Sequence, residues 1–406
     1  MTWEMVPLGE LGVWTGGGTP SKSRSDYWGG DIPWLSPKDM GTLTLSDTQD
    51  HISPTAVAES STKLVPAGSI AIVTRSGILE HTLPSAYVPF DVTLNQDMKA
   101  LAPRAGIDPK WVLYGLRAFE REILTTCRKA GTTVASIEWK RLADFRLPLP
   151  SLDEQRRIME LVEEQLSHLD AADAALAQAI ERASLLPRLT AETGWHDTDR
   201  RIPLGTLGKT VTGNTPRESQ TGHLTPFITP GDVMHGDQIS TVERSLSLDE
   251  FSKARVSDGP TVYVVCIGAT LGKTGWREEI AAFNQQINTL NLPSAEAAAV
   301  MSALLASPSG QTELRREVAA TTMPILNKTK FSRVLVPSLT TVQIADIHQR
   351  LQLVQASTSQ TLGDLHRAQQ QSVALRRVTL AAAFAGRLTG SSSDAEVIEE
   401  MAEVAP

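Results

Sequence analysis

The chain contains one arrangement of residues twice. Residues 6–20, VPLGELGVWTGGGTP, align with residues 202–216, IPLGTLGKTVTGNTP, and the two stretches share eight identical residues. Further matches follow in the same order: 32–40 with 225–233, 68–77 with 259–268, 95–96 with 284–285 and 132–133 with 321–322. The copies begin about 190 residues apart, whereas solenoid repeats have periods of roughly 20 to 50 residues. This spacing predicts a tandem duplication of a whole domain, with a long helix after each copy.

Each copy combines strand-like and helix-like segments. The apolar runs 69–74 and 260–268, bounded by Gly and Pro, predict buried strands. The stretch 111–129 predicts a helix, and 295–320, interrupted near Pro308, is its counterpart. The predicted fold class is therefore α/β in the mixed α+β sense. Trp34 and Phe227, at equivalent strand positions, are expected in the core rather than stacked on a base.

The segments that follow each copy have the spacing of a coiled-coil seam. Apolar or small residues recur every four and three positions at Ile158, Val162, Gln165, Leu169, Ala172, Leu176, Ala179, Ala183 and Leu186. The second series, more polar, is Ile347, Leu351, Val354, Thr358, Thr361, Leu365, Ala368, Ser372 and Leu375. Each helix would be roughly 60 to 70 Å long, a spacer rather than a core element. Pro187 should kink or end the first helix.

Charge favours pairing of the two helices with each other. Residues 151–200 hold 5 basic and 11 acidic residues, and residues 341–390 hold 5 basic and 2 acidic residues. An antiparallel coiled coil would give the chain a pseudo-two-fold axis, with the apolar members of both series at the interface. These are Ile158, Val162, Leu169, Leu176, Ile347, Leu351, Val354, Leu365 and Leu375. The alternative is that both segments are solvated helix faces.

These patterns divide the chain into five parts. Globular domains are predicted at 1–150 and 196–338, and spacer helices at 151–195 and 339–390. Residues 391–406 hold five acids and no base and are expected to be a disordered acidic tail.

The usual signatures of catalysis and of metal binding are missing. The GATLGKT segment at 268–274 has one residue too few between its glycines for a phosphate loop, so a strand-turn-strand corner with Lys273 facing outward is expected. Neither an Asn-Pro-Pro-aromatic methylation motif nor a metal-ligand spacing of His and Cys occurs in the sequence. Cys127 and Cys266 are too far apart to suggest a disulfide framework. Without a signal peptide or an 18-residue apolar run, a cytoplasmic binding protein is expected.

Two similar domains on a rigid spacer suit a ligand with two sites at a fixed separation, and DNA offers such sites. The formal charge of -8 argues against nucleic acid at first. It divides into -1 for residues 1–150, -6 for 151–200, +1 for 201–340, +3 for 341–390 and -5 for 391–406, so both predicted domains are nearly neutral. The main alternative is a protein-binding scaffold with duplicated interaction domains. An enzyme with an unrecognised site in the glycine-rich loops would leave the duplication unexplained.

The ordered motifs resemble one protein family closely. GGGTPSKSRSDYWGGDIPWLSPKDM, GSIAIVTRSG, LNQDMKAL, GTTVASI and PLPSLDEQRRI, followed by TGNTP, TPFITPGDV, GATLGKTG, FNQQINTL and ATTMPILNK, resemble the specificity (S) subunit of type I restriction-modification systems. The matches cover nearly the whole chain. The second copy departs from the pattern where PSLTTVQIADI lacks the Asp-Glu-Gln found at 153–155.

The resemblance implies two target recognition domains, at 1–150 and 196–338, that each read one half of a bipartite, asymmetric DNA sequence. The spacer helices, the family's central and distal conserved regions, would set the spacer length and dock two methyltransferase (M) subunits. The chain itself would be non-catalytic and without a cofactor. S-adenosylmethionine would bind to the M subunits, and ATP and Mg to the restriction (R) subunits.

Polar and basic residues of the loops are the candidate DNA contacts, although each of them is also an ordinary surface residue. In the first domain they are Ser21, Lys22, Ser23, Arg24, Lys38, Arg75, Arg128, Lys129 and Lys140. In the second domain they are Arg217, Ser219, Gln220, Lys273, Lys328 and Lys330. Arg and Lys side chains can pair with guanine edges, and Gln with adenine.

Overall fold

The computed structural model describes residues 3–129, 131, 133–216, 225–318, 324–388 and 398. Their contacts divide the chain into two compact units. The first unit contains residues 1–175 and 368–406, and the second contains residues 176–367. No helix of the described chain is both long enough and apolar enough to cross a membrane.

The first unit contains two four-stranded sheets and one two-stranded sheet. Its strands are β1 Glu4–Pro7, β2 Gly12–Gly16, β3 Trp28–Leu35, β4 Asp50–Ile52, β5 Leu64–Val65, β6 Ser69–Val73, β7 Ser85–Val88, β8 Val92–Leu94, β9 Met98–Pro103 and β10 Arg146–Leu149. The sheet orders are β2-β9-β6-β7, β4-β3-β8-β5 and β1-β10, and every pair is antiparallel except β3 with β8. The short helices are α1 Pro54–Glu59, α2 Pro109–Ala118, α3 Glu120–Thr126 and α4 Trp139–Asp144.

The second unit repeats this topology. Its strands are β11 Arg201–Pro203, β12 Thr210–Thr212, β13 Thr225–Ile228, β14 Ser245–Leu246, β15 Val256–Ser257, β16 Thr261–Val265, β17 Thr274–Arg277, β18 Ala281–Phe283, β19 Ile287–Asn291 and β20 Leu335–Pro337. The sheet orders are β12-β19-β16-β17, β14-β13-β18-β15 and β11-β20, again with one parallel pair, β13 with β18. The helices are α6 Leu248–Lys253, α7 Ala295–Ala306, α8 Pro308–Arg316 and α9 Lys328–Arg333. The duplication seen in the sequence is therefore a duplication of fold, and the mixed α/β class is confirmed.

The central strand of each unit explains the layered core. All five residues of β6 are buried, and so are all five of β16. Because side chains alternate between the two faces of a strand, Ile70 and Ile72 pack with α2, whereas Ala71 and Val73 pack with the second sheet. In β16, Val262 belongs to the cluster on the helix side. Each unit is thus a four-stranded sheet covered by helices on one face and by a second four-stranded sheet on the other.

The predicted elements match these bounds with one difference. The runs 69–74 and 260–268 form β6 and β16, and the break near Pro308 separates α7 from α8. The predicted helix 111–129 is instead two helices, because Phe119 takes a ψ angle of 13° between α2 and α3. Its ring lies 5.9 Å from that of Phe145 and 6.0 Å from that of Phe384, a tertiary packing that local helix propensity does not include.

Two long helices follow the copies, α5 Leu152–Thr193 with 42 residues and α10 Thr341–Phe384 with 44 residues. In the first unit, Arg376 of α10 contacts Asp170 and Asp173 of α5 at 2.8 and 2.7 Å. In the second unit, Arg350 donates to the Thr193 hydroxyl at 3.0 Å, and Gln343 donates to the Asp197 carbonyl at 3.0 Å. From Gln343 to Arg350 residue numbers rise, whereas from Asp197 to Thr193 they fall, so the contacts in the second unit are antiparallel.

Burial along α5 and α10 follows the predicted seam for most of its length. Ile158, Val162, Ile347 and Leu351 are buried, and Leu169, Leu176, Val354, Leu365 and Leu375 are half-buried. Three positions of the seam are wrong: Ala172 is exposed, Leu186 is 49% exposed, and Thr361 is exposed while its neighbour Leu362 is half-buried. An α-helix has 3.6 residues per turn, so its contact stripe drifts away from a strict heptad.

Pro187 does not end the first helix, since α5 continues for six residues beyond it. The last turns of α5 pack onto the second unit, where Ala191 is fully buried and the indole N–H of Trp195 donates to the Leu304 carbonyl at 3.2 Å. This packing offsets the backbone hydrogen bond that a proline removes inside a helix.

Candidate nucleic-acid interface

The residues shared by the two copies hold turns in place. A Cβ on Gly17 would lie 1.9 Å from the Asn95 carbonyl oxygen, and one on Gly213 would lie 2.2 Å from that of Asn284. Thus the glycine of the GGGTP or TGNTP motif packs directly on the Asn-Gln turn of the same copy. Any larger residue would displace that turn.

A second shared motif is closed by its own aspartate. The Asp39 carboxylate accepts hydrogen bonds from the backbone N–H and hydroxyl of Ser36, both at 2.8 Å. Asp232 accepts the same pair of bonds from Thr229 at 2.7 Å. The repeated motifs therefore form the scaffold. The loops between them differ between the copies, so the two copies can bind different ligands.

The predicted loop after Pro20 is exposed, but its arginine is already paired. Arg24 donates to both carboxylate oxygens of Asp26, at 2.8 and 2.6 Å, and its guanidinium lies 4.3 Å from the centre of the Tyr27 ring. The hydrogen bond to Asp26 raises the pKa of Arg24 above its usual value. The hydroxyls of Ser21 and Ser23 are 2.8 Å apart, and Lys22 is exposed.

Lys38 is also paired within the fold. Its ammonium donates to Asp50 at 2.8 Å, and this hydrogen bond raises the pKa of Lys38. Contact with DNA phosphate would require Lys38, like Arg24, to exchange one anionic partner for another.

Three other candidates flank the segment 133–137, which follows Gly131. The backbone of Arg75 forms an isolated bridge with Ser136, and that of Arg128 forms one with Ile137. Lys129 donates its backbone N–H to the Ser136 carbonyl at 2.8 Å. The structure thus brings Arg75, Arg128 and Lys129 to one edge of the first unit, although 53 positions separate the first two in sequence.

Lys140 lies on α4 beside an aromatic cluster that was not predicted from the sequence. Trp139 is 37% exposed, its ring lies 5.0 Å from that of Trp14, and the Lys99 ammonium lies 4.6 Å from its centre. Burial lowers the pKa of Lys99. An exposed indole with a cation on its face is a surface that can contact bases or sugars.

In the second unit, Lys273 is half-buried in the turn between β16 and β17, which is the predicted strand-turn-strand corner. Lys328 and Lys330 lie in the first turn of α9, where the Asn327 side chain caps the helix. Arg217, Ser219 and Gln220 fall outside the described residues, as do 391–397 and 399–406 of the predicted tail.

The first unit contains a positively charged groove that sequence patterns did not reveal. It has a volume of about 1140 Å³ and lies between α2, α3 and the last turns of α10. We call it the basic groove. Its cations are Arg117, Arg121, Arg128, Lys129, Arg376 and Arg377, with His81 beside them, and its acids are Glu80 and Glu120. Arg117 of α2 and Arg121 of α3 lie four residues apart in the stretch predicted as a single helix, and this spacing was a detectable signal.

The local charges leave the groove positive. Arg376 is neutralised by Asp170 and Asp173, and Glu120 accepts hydrogen bonds from the Thr82 hydroxyl and the Leu83 N–H, both at 3.0 Å. Within the described chain, no acid forms an ion pair with the other five cations. A groove of this kind suits phosphate groups or acidic side chains. No three His, Cys, Asp or Glu residues of the described chain are grouped as a metal site would require.

Comparison with known proteins finds similar sequences over the first part of the chain. Residues 1–182 match the family model described as the type I restriction modification DNA specificity domain. The EcoR124I/EcoR124II specificity subunit of Escherichia coli is 48% identical over 161 residues, which are 39% of this chain and 40% of the relative. The MjaIX specificity subunit of Methanocaldococcus jannaschii is 28% identical over 162 residues, 38% of this chain and 36% of the relative. The chain thus spans less than half the length of these curated relatives.

Solved structures show the same fold over a longer range. One, from work on complex assembly and conformational transition of the type I R-M system, has a TM-score of 0.73 with 18% identity and covers 95% of this chain and 98% of its own. The HsdS subunit from Thermoanaerobacter tengcongensis has a TM-score of 0.52 with 19% identity, over 95% and 97% of the two chains. Residues 1–182 are thus similar to the type I restriction modification DNA specificity domain, and the two solved structures share the fold over 95% of this chain.

Proposed function

We propose that the chain is a DNA sequence-specificity subunit of a type I restriction-modification complex. Each globular unit would read one half of a bipartite, asymmetric DNA target. The observation that carries this proposal is the duplicated topology: two units with the same sheet orders present different loops on the same scaffold. Since the loops differ, the two half-sites are expected to differ as well.

In this proposal the long helices set the number of base pairs between the half-sites and dock two methyltransferase subunits. The partners would supply the chemistry: adenine methylation with S-adenosylmethionine from the M subunits, and ATP-driven cleavage from the R subunits. The chain would contribute recognition alone, in the cytoplasm where its DNA lies. The acidic segment 151–200, at -6, and the basic segment 341–390, at +3, would give such partners charged surfaces to recognise.

DNA contact in the first unit would involve the edge formed by Arg75, Arg128 and Lys129. The basic groove extends this edge with Arg121 and Arg377, which supports a path for the phosphate backbone there. Phosphate contacts fix the position of a protein on the duplex, whereas contacts to base edges determine the sequence that is read. Lys22, Lys140 and the Trp139 cluster are the proposed base-side contacts of this unit.

The test is co-expression with the cognate methyltransferase, followed by mapping of methylated adenines across a genome. One bipartite motif with a fixed spacer is the expected result. Methylation at a single undivided motif, or none with a folded complex, would contradict the proposal. A complex that assembles around proteins without any DNA preference would instead support the scaffold alternative.

A further inference from the structure

The basic groove has a second potential ligand within the same chain. Residues 391–406 contain Asp394, Glu396, Glu399, Glu400 and Glu403 and no basic residue. The groove has five cations that lack an ion-pair partner among the described residues, so the charges of the two are complementary.

The connection between them is short. Arg376, Arg377, Leu380 and Ala381 line the groove, and α10 ends at Phe384. Asp394 follows ten residues later, and an extended chain of that length spans up to about 35 Å. The distance from Phe384 back to Arg377 along the helix is only about 10 Å. The acidic segment can therefore reach the groove with length to spare.

One residue of this segment is described, and it packs beside the groove. Ile398 is 7% exposed and belongs to the apolar cluster of Trp111, Phe384 and Leu388. Ala118 and Leu380 border the same cluster and also line the groove. Ile398 is thus held beside the groove, and Glu396, Glu399 and Glu400 lie within two positions of it in the sequence.

We propose that the acidic segment 391–406 occupies the basic groove when DNA is absent and that the phosphate backbone displaces it. The inference rests on the proposed function only in taking DNA as the ligand that displaces the segment. The tethered acids compete at a high effective concentration, which weakens binding to random DNA. A specific target, with base contacts in addition, overcomes this competition.

Occupancy can be measured on the full chain without DNA. A carbodiimide activates a carboxylate, and the amine of a lysine in contact with it then forms an amide bond while the reagent leaves as a urea; mass spectrometry identifies the linked peptides. We expect a link between Lys129 and the acids of 391–406, lost when Arg121→Gln and Arg377→Gln are combined. The ion pair of Lys110 with Glu163, at 2.7 Å, is the positive control. Formation of the control link without any Lys129 link to the segment would overturn the proposal.

Competition is measured with a random-sequence duplex by fluorescence anisotropy. The triple variant Glu396→Gln, Glu399→Gln, Glu400→Gln should bind about three- to tenfold more tightly than the natural chain, as expected from the loss of several exposed ion pairs. A matched variant, Glu160→Gln, Glu164→Gln, Glu181→Gln, makes the same change of net charge on exposed positions of α5.

Two results would contradict displacement. One is an equal gain in DNA affinity in both triple variants, because the change of net charge alone would then explain the gain. The other is a gain in DNA affinity that persists when Arg121→Gln and Arg377→Gln are added to the triple variant of the acidic segment. Neither result depends on which sequence the chain reads, so failure here is distinct from failure of methylation mapping.

Discussion

Gly17 lies where the loop after β2 passes over the Asn95-Gln96 turn, and a Cβ there would overlap the Asn95 carbonyl oxygen at 1.9 Å. Relief of that overlap requires the backbone to move. We expect Gly17→Ala to destabilise the first unit by about 1 to 3 kcal/mol, the usual cost of overpacking. Gly41→Ala is the control, since a Cβ at that exposed glycine meets no atom within 4 Å. Thermal unfolding of both variants measures the difference, and equal midpoints would contradict the structural role of the motif.

Glu192 stabilises the start of α8 in the second unit. Its carboxylate accepts the Ser309 N–H at 3.0 Å and the Ser309 hydroxyl, at the first turn of α8. Partial burial works to raise the pKa of Glu192, but hydrogen bonds from Ser309 and Ser307 hold it below its usual value. A carboxylate with a lowered folded pKa stabilises the fold above its unfolded pKa, and this contribution disappears as the pH falls through the folded pKa.

We therefore expect Glu192→Gln to destabilise the second unit at neutral pH by about 1.5 to 3 kcal/mol, as for hydrogen bonds to a charged group. The difference from the natural chain should shrink as the pH falls below about 4. Unfolding midpoints measured across this pH range test both statements. Glu181→Gln, on an exposed position of α5, should have little effect at any pH. A pH-independent difference for Glu192→Gln would show that shape rather than charge matters there.

At the scale of elements, α5 and α10 connect sequence with proposed function. Four residues inserted after Ala174 add about one turn, close to 6 Å, to α5 at the boundary between the two units. We expect the methylated motif to gain spacer base pairs while both half-sites stay the same. A variant with two conservative surface substitutions at the same place, Ala174→Ser and Ala175→Ser, should retain the original spacer. Methylation of the unaltered motif by the insertion variant would refute the helices as the source of spacing.

The sequence predicted these elements because their signals are local. Buried strands such as β6 have continuous apolar runs, Pro308 marks a helix start, and the four-three spacing marks α5 and α10. The break at Phe119 and the continuation of α5 through Pro187 depend on tertiary packing, which no local pattern contains. The basic groove was not predicted for the same reason. It is lined by Arg121 of α3 and Arg377 of α10, which are more than 250 positions apart in the sequence.

Site residues were predicted less completely than the fold. A basic residue in a loop is easy to recognise, but its partner is not. Arg24 and Lys38 proved to be paired with Asp26 and Asp50, whereas Arg128 and Lys129 line an open groove. The sequence indicates which residues can contact DNA, and only the fold indicates which of them are available. Their contacts to DNA stay predictions.

At the scale of the whole molecule, charge is unevenly distributed. The net charge of -8 arises mainly from 151–200, at -6, and from 391–406, at -5, whereas the two predicted domains are nearly neutral. We expect the isolated chain to bind duplex DNA weakly and with a shallow salt dependence, because each phosphate contact adds only about 0.9 to the slope. Useful affinity should appear after the M subunits add their own basic surface. A tight, salt-resistant complex of the isolated chain with DNA would contradict this.

In the proposed function, each copy of the fold reads one half of the target. The most direct measurement replaces residues 1–150 with those of another family member and maps methylated adenines after co-expression with the methyltransferase. We predict that one half of the bipartite motif changes while the other half and the spacer stay the same. A change in both halves, or in neither, would contradict the account.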